Sequence, residues 1–196
     1  MTASGDVFGP DSRASSVDAS GDRGPYRARV ITASTRAATG VYPDRSGPIL
    51  VAGLRDLGLV VDEPVVVPDG DPVGEALRAA LDVPVDVIVT SGGTGCSPTD
   101  HTPEQTSGLV DRVVPGIAEA LRAEGRSSGV PTADLSRGVA GFSGSTLIVN
   151  VAGSTGAARD ALVVLERLLV HALDQSRGGD HPQGASPGTF TGSSPS

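Results

Sequence analysis

The sequence predicts a three-layer α/β/α sandwich with a mostly parallel central sheet. Two observations carry that reading. Short apolar runs of strand character alternate with segments of helical periodicity, and polar, glycine-rich sequence follows three of those runs. Alternation of this kind builds a parallel sheet covered by helices on both faces. Ligands in such folds bind beyond the carboxyl ends of the strands.

The folded domain is expected over residues 26–175. Residues 1–25 and 176–196 are rich in small and polar side chains and lack apolar periodicity. They carry too little apolar area to offset the entropy of ordering, so both are expected to be disordered tails.

Within that window the elements follow in order. Residues 28–32 read as the first strand. Residues 46–57 read as a helix: Ser46 can cap it, Pro48 suits its first turn, and Leu50, Leu54 and Leu57 share a face. Gly58 sits where that helix would stop. Residues 60–67 are strand-like, but Pro64 interrupts them and points to an edge or a bulge. Asp71-Pro72 opens a helix to about Leu81 with Val73, Leu77 and Ala80 inward. Residues 85–90, Val-Asp-Val-Ile-Val-Thr, are expected as a fully buried strand. Thr102-Pro103-Glu104-Gln105 has the form of a capping box, with a helix expected to about Arg112. Residues 115–124 read as another helix, ended by Gly125. A strand is expected over 146–151 and a final helix over 155–175, its stripe formed by Ala158, Leu162, Leu165, Leu169 and Ala172.

Composition narrows the function. The chain holds 15 Lys+Arg against 23 Asp+Glu, a net charge of −8, and every basic residue is arginine. A broad nucleic-acid surface is not expected, because phosphate-backbone affinity needs clustered positive charge. Aromatic residues are 3% and tryptophan is absent, which argues against base-stacking platforms. The one cysteine, Cys96, excludes an internal disulfide and a cysteine zinc cluster. No apolar run approaches a membrane span or a secretory signal, so a soluble cytoplasmic protein is expected.

The chemistry concentrates in "TSGGTGCSPTDHTPE", residues 90–104. Successive glycines at 92, 93 and 95 permit positive φ and expose backbone N–H groups, which form anion-binding nests. It is not a Walker A loop, since the chain has no lysine, and it lacks the G-x-G-x-x-G spacing of dinucleotide sites. If the loop holds phosphates, Asp69 and Asp100 make sense only with a cation such as Mg²⁺ between carboxylate and anion. The plainer alternative is a tight strand-to-helix connection, with Asp100 favouring the helix start and Asp69 making a Pro-Asp-Gly turn.

This stretch resembles the signature of the MogA/MoaB family of molybdenum cofactor biosynthesis, which includes the gephyrin G domain. The family pattern reads roughly T-x-G-G-T-G-x-x-P-x-D-x-T-P-E. "YPDRSGP" (42–48), "VVPDG" (66–70), "LSRGVAG" (135–141) and "STLIVNVAGS" (145–154) agree with it in family order and cover nearly all of residues 26–175. The resemblance implies a homotrimer that adenylylates molybdopterin with ATP and Mg²⁺, releasing pyrophosphate, and that hands its product to a molybdenum-inserting protein. It implies catalytic, metal-holding roles for Asp69 and Asp100. It implies nucleotide and pterin contacts for Ser91, Gly92, Gly93, Thr94 and Gly95, and pocket roles for Ser34, Asp44, Ser136, Asn150 and Gly153.

Three positions depart from the family pattern. Thr35 replaces an aspartate, Ala152 replaces a proline, and His101 replaces a residue that is commonly apolar. Mg²⁺ prefers oxygen, so His101 is not read as a ligand. Cys96 has no activating neighbour in sequence and reads as a small space-filling residue. The first two departures keep a second reading open, a non-catalytic molybdopterin carrier of the same family.

Overall fold

The computed structural model describes residues 24–178. The expected tails lie almost wholly outside them. The domain is an α/β/α sandwich on a seven-stranded, mostly parallel sheet.

Its strands are β1 (Arg27–Ala33), β2 (Val60–Val61), β3 (Val65–Val67), β4 (Val87–Ser91), β5 (Arg112–Val113), β6 (Ala140–Ser143) and β7 (Thr146–Val151). The sheet order is β2-β1-β4-β7-β6-β5, with β3 also paired to β1. Strands β1, β4 and β7 run parallel side by side at the centre. β6 and β5 add an antiparallel edge. Pro64 divides the expected second strand into β2 and β3, both parallel to β1, because proline cannot donate to the ladder.

Alternate residues of the central strands enter opposite cores. Val30, Val87, Val89, Leu147 and Val149 pack with three helices: α2 (Ser46–Asp56), α5 (Pro115–Ser127) and α6 (Thr155–Ser176). Ile31, Ile88 and Ile148 face the other way, against α3 (Asp71–Leu81) and the residues that follow α4 (Thr102–Ser107). Helices α2 and α6 approach closely at Gly53, where a Cβ would lie 2.3 Å from a Leu162 methyl.

Several expectations are corrected. Helix α4 ends at Ser107, not near Arg112. Leu109 and Val110 turn into the second core, and Arg112 pairs with Phe142 across β5 and β6. Thr102 is the first helical residue rather than a side-chain cap, and no capping box forms. Helix α5 continues through Gly125 to Ser127. That glycine serves packing, since a Cβ there would lie 2.6 Å from the Ala133 methyl. Ser46 does not cap α2 with its side chain; Asp44 takes the orphan N–H groups instead, accepting from Ser46 N and Gly47 N at 3.1 Å each. The run at 85–90 enters the sheet only at Val87. A short helix α1 (Thr35–Ala38), a 3-10 turn (Pro131–Leu135), β5 and β6 have too little periodicity to read from sequence.

Among the described residues no helix is long and apolar enough to cross a membrane.

Candidate functional site

Parallel register brings three strand ends to one level. Thr32 of β1 aligns with Ser91 of β4, and Ser91 aligns with Val151 of β7. The chain leaves all three strands into one cleft of about 950 Å³. Gly92 makes the convergence possible. Its φ is +102°, and a Cβ there would lie 2.2 Å from the Ala33 carbonyl oxygen. Gly153 approaches from the β7 side, where a Cβ would meet the Gly92 Cα at 3.1 Å.

The glycine loop presents its backbone. Gly92 N donates to Val151 O at 2.9 Å, and the Gly93 carbonyl accepts from Thr102 N at 3.1 Å. The next four N–H groups, from Gly93 to Cys96, donate to no group among the described residues. With Gly93 at φ +62°, this is the geometry of a nest for anionic oxygens.

Side chains around the loop hold it open. Ser136 Oγ donates to Thr94 Oγ1 at 3.2 Å, and buried Ser91 Oγ donates to Ser46 Oγ at 2.9 Å. Asp44 Oδ2 accepts from Thr32 Oγ1 at 2.8 Å while its other oxygen caps α2. Gly47 permits this, because a Cβ would lie 2.2 Å from Asp44 Oδ2. Ser34 caps α1 through Ala37 N and meets the Tyr42 hydroxyl at 3.3 Å. Asn150 is only 2% exposed, and the fold engages both donors of its amide and its carbonyl oxygen. Its Nδ2 donates to Thr90 and Thr106 hydroxyls at 3.0 and 2.8 Å, and its Oδ1 accepts from Val139 N at 3.0 Å. It ties β4, β7 and α4 together beneath the loop.

The two singled-out carboxylates flank the glycines. Asp69 Oδ2 accepts from both the N–H and the hydroxyl of Thr35, at 2.9 and 2.8 Å. Its Oδ1 lies 3.5 Å from where a Cβ on Gly93 would be. Asp100 Oδ2 accepts from Ser97 N at 2.9 Å and lies 2.9 Å from the corresponding point on Gly95. Of the residues given catalytic or binding roles by the resemblance, all but Asp69 line the cleft; Thr35, Cys96 and His101 lie outside its lining as well. Each carboxylate keeps one oxygen without a protein donor. No group of three or more His, Cys, Asp or Glu side chains is placed to hold a metal among the described residues. The donor set therefore fits Mg²⁺ that takes one or two carboxylates here and its remaining ligands from phosphate and water. His101 is exposed at the N-cap of α4.

Sequence reasoning missed the arginines. Arg137, inside the quoted "LSRGVAG", clamps the loop. Its N–H donates to Thr94 O at 2.8 Å, its Nε to Gly95 O at 2.7 Å and one terminal nitrogen to Asp100 O at 2.5 Å, and it pairs with Glu104. The hydrogen bond from Arg137 holds the Glu104 carboxyl below its ordinary range, and the same bond raises Arg137. Arg45 and Arg122 line the cleft, beside an apolar wall from Leu121, Val130 and Leu135. Their signal, an arginine in a motif or on a helix face that borders the site, is visible only once the cleft is known. Cys96 is exposed, its sulfur 3.7 Å from Leu135 O.

The profile of the family described as "Probable molybdopterin binding domain" matches residues 29–172. Among solved structures, the molybdopterin biosynthesis Mog protein from Mycobacterium ulcerans is 55% identical with a TM-score of 0.73, covering 77% of this chain and 99% of that one. A curated molybdopterin adenylyltransferase of Helicobacter pylori is 34% identical over 74% of this chain and 84% of its own length. A molybdenum cofactor biosynthesis bifunctional protein of Chlorobaculum tepidum is 37% identical over 79% of this chain. The chain spans about half the length of that relative.

Proposed function

The chain belongs to the MogA/MoaB family of molybdenum cofactor biosynthesis proteins, and on that premise we propose that it is a molybdopterin adenylyltransferase. The terminal phosphate of molybdopterin attacks the α-phosphorus of ATP. A P–O bond forms to the pterin phosphate, the bond to the β-phosphate oxygen breaks, and pyrophosphate leaves.

The observation that carries this reading is the nest of four unengaged N–H groups from Gly93 to Cys96, flanked by Asp69 and Asp100. Both substrates are anionic, so the chemistry depends on positioning and charge compensation more than on proton transfer. The loop N–H groups would cradle phosphate oxygens, while Arg45 and Arg122 face the anions from the cleft wall. Arg137 fixes the loop's shape, and the apolar wall excludes water from one side. Asp69 and Asp100 would hold Mg²⁺, which supplies charge neutralisation to the triphosphate when bound.

The reading extends to a homotrimer, to a cytoplasmic location, and to hand-over of the product to a molybdenum-inserting protein. The carrier alternative draws on Thr35, the first residue of α1, and Ala152, just after β7, which depart from the family pattern. Purified protein incubated with molybdopterin, ATP and Mg²⁺ should release pyrophosphate only when all three are present. Tight pterin binding without ATP-dependent product would favour the carrier. A monomer by light scattering across micromolar concentrations would rule out the trimer.

A further inference from the structure

Among the described residues, one buried side-chain oxygen or nitrogen lacks a hydrogen-bond partner: Oγ1 of Thr102. The residue is 0% exposed. Folded proteins keep few such atoms, and a valine of the same shape would fill this space without leaving a hydroxyl unpaired.

The hydroxyl is held in place. Thr102 N donates to Gly93 O, which fixes the residue against the glycine loop. Oγ1 lies 2.3 Å and Asp69 Oδ1 lies 3.5 Å from the point where a Cβ on Gly93 would be. The two oxygens are therefore less than about 6 Å apart, a span that one water closes with two ordinary O–H···O bonds. Thr35 pins the other oxygen of Asp69 on the far side.

We infer that Thr102 is a positioning residue for Asp69. Its hydroxyl donates to Oδ1, through a single water or directly when nucleotide draws the loop inward, and sets the angle at which that carboxylate meets the cation accompanying ATP. The inference rests on the adenylyltransferase reading. It also explains why β-branched Thr102 sits at the first helical position with no capping role: its side chain serves the loop in front of α4.

The test compares Thr102→Val, Thr102→Ser and Thr102→Ala with wild type in three readouts: melting temperature, binding of Mn²⁺–ATP by electron paramagnetic resonance, and formation of adenylyl-molybdopterin. The valine protein should melt at or above wild type. It should bind Mn²⁺–ATP and turn over about tenfold to a hundredfold less well, the worth of one hydrogen bond to a charged group. Serine should stay within about threefold of wild type on the same grounds. Valine with wild-type affinity and rate overturns the inference, as does a valine protein that melts several degrees lower, which would mean the hydroxyl is used inside the fold. If valine does not fold, the serine and alanine proteins differ by the hydroxyl alone, and equal Mn²⁺–ATP affinity in those two overturns it. Thr102-dependent Mn²⁺–ATP binding in a protein that makes no adenylyl-molybdopterin would instead sink the proposed reaction and leave the role of Thr102 standing.

Discussion

Arg137 and Glu104 meet across the mouth of the glycine loop, joining the segment before β6 to the first turn of α4. The same guanidinium donates to the Gly95 and Asp100 carbonyls, so one side chain gathers both ends of the loop. Lysine cannot make these bonds together, because it lacks the planar fork. Arg137→Lys should raise the KM for ATP about threefold to tenfold. Its melting temperature should fall by no more than about 3 °C, since a solvent-exposed pair is worth under about 1 kcal/mol. Steady-state kinetics beside a thermal melt checks both.

The pair also sets a pH dependence. Glu104 is held below its ordinary value of 4.5, chiefly by the hydrogen bond from Arg137. A depressed folded-state value contributes stability above the unfolded value and loses it as pH falls through the folded one. Wild type should therefore melt slightly above Glu104→Gln near neutral pH. The gap should close on acidification below 4.5. A gap that does not narrow at all as the pH falls from neutral to well below 4.5 would show that the charge is not its source.

Asp100→Asn should lower adenylyl transfer by roughly two to four orders of magnitude while sparing molybdopterin binding. The substitution keeps size and removes the charge proposed to hold Mg²⁺. One anion fewer in an anion site should leave pterin affinity equal or tighter. Single-turnover product formation beside a pterin titration separates the two. Near-normal turnover would reduce Asp100 to a loop-shaping residue bonded to Ser97 N.

Asp44→Ala should destabilise the domain by about 1–2 kcal/mol, the worth of a helix cap, and lower the melting temperature by about 3–6 °C. Asn at this position retains the cap and should recover most of the loss. Equal melting of the alanine and asparagine proteins would deny Asp44 its capping role.

Gly92→Ala should be more damaging than most loop substitutions. The obstacle is a backbone carbonyl at 2.2 Å, which cannot rotate away as a side chain would, and the residue must also hold φ at +102°. A loss of more than about 3 kcal/mol is expected. A soluble alanine variant melting within a few degrees of wild type would show that the β1 and β4 ends separate easily.

The sheet's middle was legible in the sequence because its strands are short runs rich in Val and Ile, and α3 and α6 because their apolar residues keep a helical period. The edges were not. β5 has two residues and β6 is Ala-Gly-Phe-Ser, so only the pairing of β6 to β7, and of β5 to β6, makes them strands. Gly125 reads as a stop and acts as a packing notch, a difference that depends on Ala133 eight residues on. At the site, carboxylates and glycines stood out because their types are unusual in that company. The arginines did not, since an arginine on a helix or in a loop is ordinary until its neighbours are known. Thr102 has the spacing of a cap, whereas its hydroxyl lies against the glycine loop after β4 and near Asp69 after β3, which spacing does not show.

The described ends of the domain meet far from the cleft. Tyr26, just before β1, bonds to Asp174 near the end of α6, and Arg177 stacks on the Tyr26 ring at 4.1 Å while pairing with Asp86. Helix α6 begins at the cleft, whose lining reaches Asp160, and puts roughly 21 Å of helix between that residue and Asp174 of the clasp. Entry to and exit from the described domain thus share one pole and the cleft occupies the other. A unit wired this way can be spliced into a longer polypeptide, or circularly permuted through its paired ends, without a new chain passing over the cleft. Only the clasp would register the change.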